Sequence, residues 1–254
     1  QKAIAVGVRL EHPAETINFI RYGHKYKNVA ALGAAAYSFN YTYKKIERGA
    51  YTFCMCPGGE IVNASSEEGF LVVNGMSYSK RDSAFSNAAI IVTCRTEDYK
   101  SSHPLAGLLF QKNIERKAFT ASGGKWKVPA QNVLDFLHEK TSVKLNENSC
   151  KTGTVSVNMN KIFPKFIRIV LRRAFNNWKE NYPVFVSSQA ILLAPETRTS
   201  CPIRISRKEN RESVNIKNLY PMGEGSGYTG GITSSALDAI KAVENSLAPY
   251  RVHG

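Results

Sequence analysis

Residues 220–235 read YPMGEGSGYTGGITSS, a dense glycine run followed by residues able to open a helix. Gly225, Gly227 and Gly230 match G-x-G-x-x-G, the spacing with which a strand-to-helix turn cradles phosphate. Glycines let an anion approach the backbone, and unpaired N–H groups at the helix N-terminus point at it. In dinucleotide-binding units this turn comes first, and an acidic residue follows on a second strand about twenty residues later. Here only residues 231–254 remain, and they hold no such strand. The motif alone leaves two readings open. It is a tight turn that lets a helix pack closely, or a cofactor loop that ends a domain begun elsewhere.

Glu224 favours the second reading. A carboxylate inside the loop repels a phosphate set against it but suits the hydroxyl groups of a sugar or ribityl chain. Strand, Gly-acid-Gly, then helix is also how many flavoproteins with two dinucleotide folds end. There the last strand and helix return to the FAD domain after an inserted substrate domain.

The rest of the chain reads as a mixture of strands and helices. Ile4, Val6, Val8 and Leu10 alternate in a strand, and Pro13 fits the first turn of a helix running to about Arg21. Residues 36–46 and 51–56 read as strands joined at Gly49, and PGG at 57–59 breaks the second. Residues 60–64 and 70–73 are short strands, and 88–94 is an apolar run of buried-strand length. Helices are expected over 104–121, from Pro129 through Leu137, over 160–178 with an interruption at Pro164, and over 232–247. Residues 190–194, 203–205 and 218–222 read as strands. The expected class is α+β, a mostly antiparallel or mixed sheet with flanking helices. A C-terminal strand, glycine loop and helix complete an FAD-binding domain. The division is a substrate-type domain over 1–206 and the FAD-domain segment over 207–254.

At 254 residues with 43% hydrophobic and 21% charged residues, the chain can bury a sizeable core. The start QKAIAVGVRLEHP lacks the apolar centre of a signal peptide, and no run is long enough to span a bilayer. Gln1 in place of Met suggests a piece of a longer polypeptide. The five cysteines, an odd number with no C-x-x-C pair, fit a reducing cytoplasm and argue against a structural zinc. The net charge of +14 favours anionic partners. Part of it lies in Lys161, Lys165, Arg168, Arg172 and Arg173, near helical spacing. That stripe reads as a solvated helix face or as a nucleic-acid contact, without any accompanying RNA- or DNA-binding motif.

Cys54 and Cys56 stand two apart in an expected strand, which puts both thiols on one side. They read as a redox pair relaying electrons to a flavin, or as two small residues on a sheet face. Arg198 and Arg204 flank Thr199, Ser200 and Cys201, where they suit an anionic substrate or a pyrophosphate. The competing reading pairs them with a carboxylate such as Glu196. His12, His24, His103, His138 and His253 are dispersed, with no metal-ligand spacing, so no metal is expected. No nucleophile-elbow sequence accompanies them.

Three blocks together carry a family resemblance: YTFCMCPGGEIVNASSEEGFLVVNGMSYSKRD at 51–82, ETRTSCPIRI at 196–205 and YPMGEGSGYTGGI at 220–232. From about Val6 to Val243 the chain resembles the uncharacterised FAD-dependent dehydrogenases, a bacterial branch of the NAD(P)/FAD-dependent oxidoreductases. The resemblance implies an FAD-dependent oxidoreductase whose N-terminal FAD-binding β-α-β unit lies outside this sequence. It implies FAD as cofactor of the intact protein, with NAD(P)H left open. It also implies that this segment by itself retains little FAD and turns nothing over. The missing N-terminal region is the implied partner, besides a small-molecule substrate. Carried over, Gly223, Glu224, Gly225 and Gly227 contact the flavin or ribityl chain, and Gly230, Gly231 and Ile232 sit at a helix N-terminus by the flavin's pyrimidine edge. Met222 departs from the cysteine that relatives often carry. The alternative class remains a basic nucleic-acid-binding or RNA-modification accessory module.

Overall fold

The computed structural model describes residues 1–247, so His253 lies outside the described residues. The chain forms two compact units. One comprises Val6–Thr93 and Gln111–Thr197; the other comprises Gln1–Ala5, Cys94–Phe110 and the chain from Arg198 onward. The elements in order are β1 (Ile4–Pro13), α1 (Ala14–Tyr26), β2 (Asn40–Tyr43), β3 (Arg48–Cys56), β4 (Glu60–Asn63), β5 (Val73–Met76), β6 (Phe85–Cys94), α2 (Ala106–Ala121), β7 (Val128–Asn132), α3 (Val133–Leu137), β8 (Thr154–Ser156), α4 (Lys165–Asn181), β9 (Ile191–Glu196) and α5 (Ile232–Leu247). The architecture is α+β with a mixed, mostly antiparallel sheet. No described helix is long and apolar enough to cross a membrane.

The larger unit is built on a seven-stranded sheet in the order β2-β3-β6-β1-β9-β7-β8, with β4 and β5 forming a separate hairpin. The β1–β9, β2–β3, β3–β6 and β7–β9 pairs are antiparallel, and β7–β8 is parallel. Strands β1, β6 and β9 are central and buried nearly throughout, which is why they read as near-continuous apolar runs. On β1, Val6, Val8 and Leu10 take one face, and Arg9 and Glu11 take the other; all five are buried. Gly7 is obligatory where β1 meets β6, because a side chain there would run into the carbonyl of Ile90. The β1–β9 register shifts between Gly7 and Arg9, and this irregularity re-aims the charged residues that follow.

Helix α4 shows why its sequence folds as it does. Ile167, Val170, Leu171, Ala174, Phe175 and Trp178 recur at helical spacing and are buried. This stripe packs the helix against α3, β2 and β3. Pro164, which the sequence places inside the helix, stands at its N-cap, and a short 3-10 turn over Met159–Lys161 precedes it. A proline lacks the N–H an interior position needs, so the helix starts after it.

Several expected elements differ. Pro129 does not open a helix; it lies in β7, opposite Val155 of β8, and α3 begins only at Val133. The strand expected over 36–46 shrinks to Asn40–Tyr43. Neither 203–205 nor 218–222 forms a strand, so the glycine loop follows a turn-rich segment. Asn218 adopts φ +61°, which bends the chain, and Arg207 takes the carbonyl of Pro221. An isolated bridge between Arg207 and Ser213 is the pairing that remains there.

In the smaller unit the N-terminal residues run beside residues 199–202. Lys2 donates its backbone N–H to Pro202 O, Thr199 Oγ1 donates to Ala5 O, and Tyr99 Oη donates to Lys2 O.

Candidate functional site

The glycine loop is a pre-built structure held by one buried carboxylate. Asp238, in the second turn of α5, accepts the backbone N–H of Gly223 at 2.9 Å. It also accepts both Nη atoms of Arg207, at 2.9 and 2.8 Å, and a bond from Arg211. The Arg207 guanidinium is the leading reason that the Asp238 carboxyl is held well below the usual carboxylate range. Arg207 lies 3.6 Å from the centroid of the Tyr228 ring, so one arginine ties helix, loop and aromatic together. Asp238 and Ala242 are the buried side chains among the described residues of α5.

The loop itself is closed by backbone bonds. Gly227 N–H donates to Glu224 O, and Ile205 N–H donates to Ser226 O. Glu224 accepts the Cys201 N–H through Oε1 at 2.6 Å, which fastens the loop to the 200–202 turn. Arg204 also belongs to this frame: its Nε donates to Gly227 O and its guanidinium covers Tyr228. Arg198 is exposed at the start of this unit's C-terminal stretch.

The glycines divide into two sets. Gly223 and Gly227 have φ of +75° and +84°, a region that side chains rarely adopt. At Gly227 a side chain would also collide with the carbonyl of Ile203. Their identity is explained by the loop's own architecture. Gly225 and Gly230 differ. Both are exposed, neither has a positive φ, and a Cβ at either would meet nothing within 4 Å. Gly231 would meet only Ser234 Oγ, at 3.6 Å. Ile232, the first residue of α5, is 93% exposed. Gly227→Ala is therefore expected to destabilise the chain by more than about 1 kcal/mol in thermal unfolding, while Gly225→Ala and Gly230→Ala stay within about 0.5 kcal/mol of the parent.

A second cluster, in the larger unit, was only partly legible in the sequence. Arg9, fully buried on β1, donates through Nε to Glu196 Oε2 at 2.8 Å. Its Nη1 donates to Cys54 O at 2.8 Å and to Asn87 Oδ1 at 3.0 Å, and its Nη2 donates to Asn74 Oδ1 at 2.9 Å. Burial disfavours the guanidinium's charge, and Glu196 more than restores it, so Arg9 stays protonated. Burial pushes the Glu196 carboxyl up, and Arg9 pulls against that. Gly75 leaves room for this cluster, since a side chain there would strike Arg9 and Asn87. The sequence signal was a charged residue inside an apolar strand, and it named Glu196 only as a partner for Arg198 or Arg204. The partner is Arg9.

Cys54 and Cys56 border this cluster without the simple alternation expected of a strand. The β3–β6 register shifts between Phe53 and Cys56, and Cys54 has φ +43°. Cys54 is exposed, while Cys56 is half-buried with Sγ 3.7 Å from Arg9 Nη1. Burial raises the Cys54 thiol above its ordinary value, with Arg9 opposing, so it is held as a thiol at neutral pH.

The basic residues of α4 are partly engaged within the larger unit. Arg173 covers the Tyr43 ring, and Arg172 pairs with Glu139. Among the described residues no group of three or more His, Cys, Asp or Glu side chains is placed to hold a metal.

With this geometry in hand, two comparisons bear on the site. Residues 3–199 match the profile of a family described as "FAD-dependent protein, C-terminal domain-like". The chain is also 43% identical over 251 residues to an uncharacterised protein of Clostridium beijerinckii. That alignment covers 98% of this chain and 47% of the relative, so the chain spans about half of that protein's length. The family match ends before the glycine loop, and the alignment to the longer relative takes in almost the whole chain.

Proposed function

The chain belongs to the family of FAD-dependent protein C-terminal domains, and from that membership we propose that it closes the flavin side of the FAD site of an oxidoreductase of the dehydrogenase type. In this reading the adenosine and pyrophosphate are gripped by an N-terminal region outside these 254 residues. The loop at 223–232 supplies backbone N–H groups and close approach to the isoalloxazine and ribityl chain. FAD itself carries the hydride chemistry, and the protein orients it and tunes its charge.

The observation that carries this reading is the pair Gly225 and Gly230. No turn and no packing within the described chain accounts for a missing side chain at either position. A surface that another group must approach closely does account for it. Helix α5 supports the same view. It turns Asp238 inward and leaves Ile232, Leu237, Ile240 and Val243 exposed, reversing the usual orientation of an amphipathic helix. Such an apolar face suits a further domain. The N-terminal region of the same polypeptide is the partner we assign to it. Glu224 then acts chiefly by fixing the loop, since one of its oxygens already holds the Cys201 N–H.

The test is flavin retention. Gly225→Val and Gly230→Val, placed in the longer polypeptide that carries this segment, are expected to strip most of the flavin from the purified protein. The same substitutions leave unfolding within about 0.5 kcal/mol. Full flavin content in both variants would remove the reading. Added alone to FAD, the 254-residue chain is expected to form no stoichiometric yellow complex; a tight one would overturn the proposed sharing of the site.

A further inference from the structure

A separate hollow lies in the larger unit, between α1, the segment leading into β2 and the turn after α4. Its volume is about 220 Å³. An apolar cavity of roughly 150 Å³ suffices to hold benzene, so this one has room for a single ring and a small substituent. Its walls are aromatic. Phe39 and Phe185 stand 4.3 Å apart between ring centroids, Phe39 and Tyr182 5.1 Å, and Tyr37 and Phe185 5.0 Å. Tilted and edge-on contacts of this kind leave ring faces and edges for one more aromatic partner.

The charge at the hollow has one sign. Ile17, Ile20 and Arg21 reach it from successive turns of α1, and Arg21 is the one charged residue lining it among the described residues. Arg21 is exposed and makes no hydrogen bond or ion pair among the described residues. A guanidinium left unpaired at the mouth of an aromatic hollow is a fork suited to a carboxylate. Among the described residues no acidic side chain lines the hollow to compete for it, and the chain's net charge of +14 favours an anion.

We infer that this hollow is a binding site for a small monocyclic aromatic carboxylate, its ring packed against the wall formed by the Phe39, Tyr182 and Phe185 side chains and its carboxylate at Arg21. The site is independent of the flavin reading, because every group it uses lies in the larger unit and no flavin enters the argument.

Calorimetric titration of the chain with benzoate, benzamide and cyclohexanecarboxylate tests it. Benzoate is expected to bind about five- to tenfold more tightly than benzamide at low salt, since the carboxylate adds a charge-assisted bond at an exposed arginine. It is also expected to bind more tightly than cyclohexanecarboxylate, which lacks the ring's quadrupole. Arg21→Gln should erase the preference over benzamide. Ala36→Trp, which places an indole at the rim, should weaken all three ligands. Both positions are exposed, so folding is preserved. Equal binding of benzoate and benzamide, equal binding of benzoate and cyclohexanecarboxylate, no binding by any of the three, or unchanged benzoate affinity in either variant would each overturn the assignment.

Discussion

Arg9→Met is expected to lower the unfolding free energy by about 3–5 kcal/mol, and Arg9→Met with Glu196→Leu by distinctly less. The reason is the asymmetry between breaking a buried ion pair and replacing it. With Arg9 gone, Glu196 is left buried beside an apolar side chain, and it must be charged without a counter-ion or protonated at a cost. Removing both groups removes that cost. A residual deficit is expected in the double variant, because Cys54 O, Asn74 and Asn87 lose the donor that Arg9 supplied to each of them. Urea unfolding followed by the fluorescence of Trp178, buried in the same unit, reads both variants and Glu196→Leu alone. A double-mutant cycle with coupling near zero would show that the two charges do not act as a pair. Losses in the single and double variants that match would say the same.

That pair also marks the limit of what the sequence discloses. Its members are 187 positions apart, and nothing local to either names the other. Periodic features were legible: the alternation Ile4, Val6, Val8, Leu10 marks β1, and α5 has the bounds its pattern gives. Where a single residue decides, local pattern misled. A proline suits the first turn of a helix and also a strand position that needs no donor. At Pro129 the pairing with β8 and β9 selects the strand. The segment 218–222 has strand-like composition, but Arg207 and Ser213 draw its carbonyls into a loop. Within the glycine run the spacing is visible in sequence. The difference between Gly227, needed by its own fold, and Gly225, needed by nothing in it, emerges only from the space around each Cα. The redox reading of Cys54 and Cys56 rested on strand alternation, and a register shift with a left-handed residue is invisible at that level.

Two neighbours on β1 are expected to hide each other's pH dependence. Glu11 is fully buried and accepts the backbone N–H and hydroxyl of Ser149; burial, opposed by those bonds and reinforced by Glu60, pushes its carboxyl up to about 7. His12, on the opposite face, donates Nε2–H to Phe185 O and stacks on that ring; burial pushes it down to about 4. A raised carboxylate favours the protonated fold, so its contribution is present at low pH and is lost as pH rises from about 4.5 to about 7. A depressed histidine favours the neutral fold, so its contribution is present above about 6.5 and is lost as pH falls to about 4. Each change is worth about 3 kcal/mol. Over the shared interval the slopes are opposite and close in size, so the parent's stability is expected to be nearly flat there. Glu11→Gln should unmask the histidine, with stability rising by about 3 kcal/mol as pH is raised from 4 to 6.5. Glutamine can still accept the Ser149 N–H and can donate to its hydroxyl, which keeps the site satisfied. His12→Gln, able to donate to Phe185 O, should give the mirror image, losing a similar amount as pH rises from 4.5 to 7. The slope is what distinguishes a titrating group from a merely packed one, since lost packing lowers stability by the same amount at every pH. Urea melts at half-unit pH steps measure it, and a flat profile in either variant would show that the corresponding group does not carry its assigned proton in the fold.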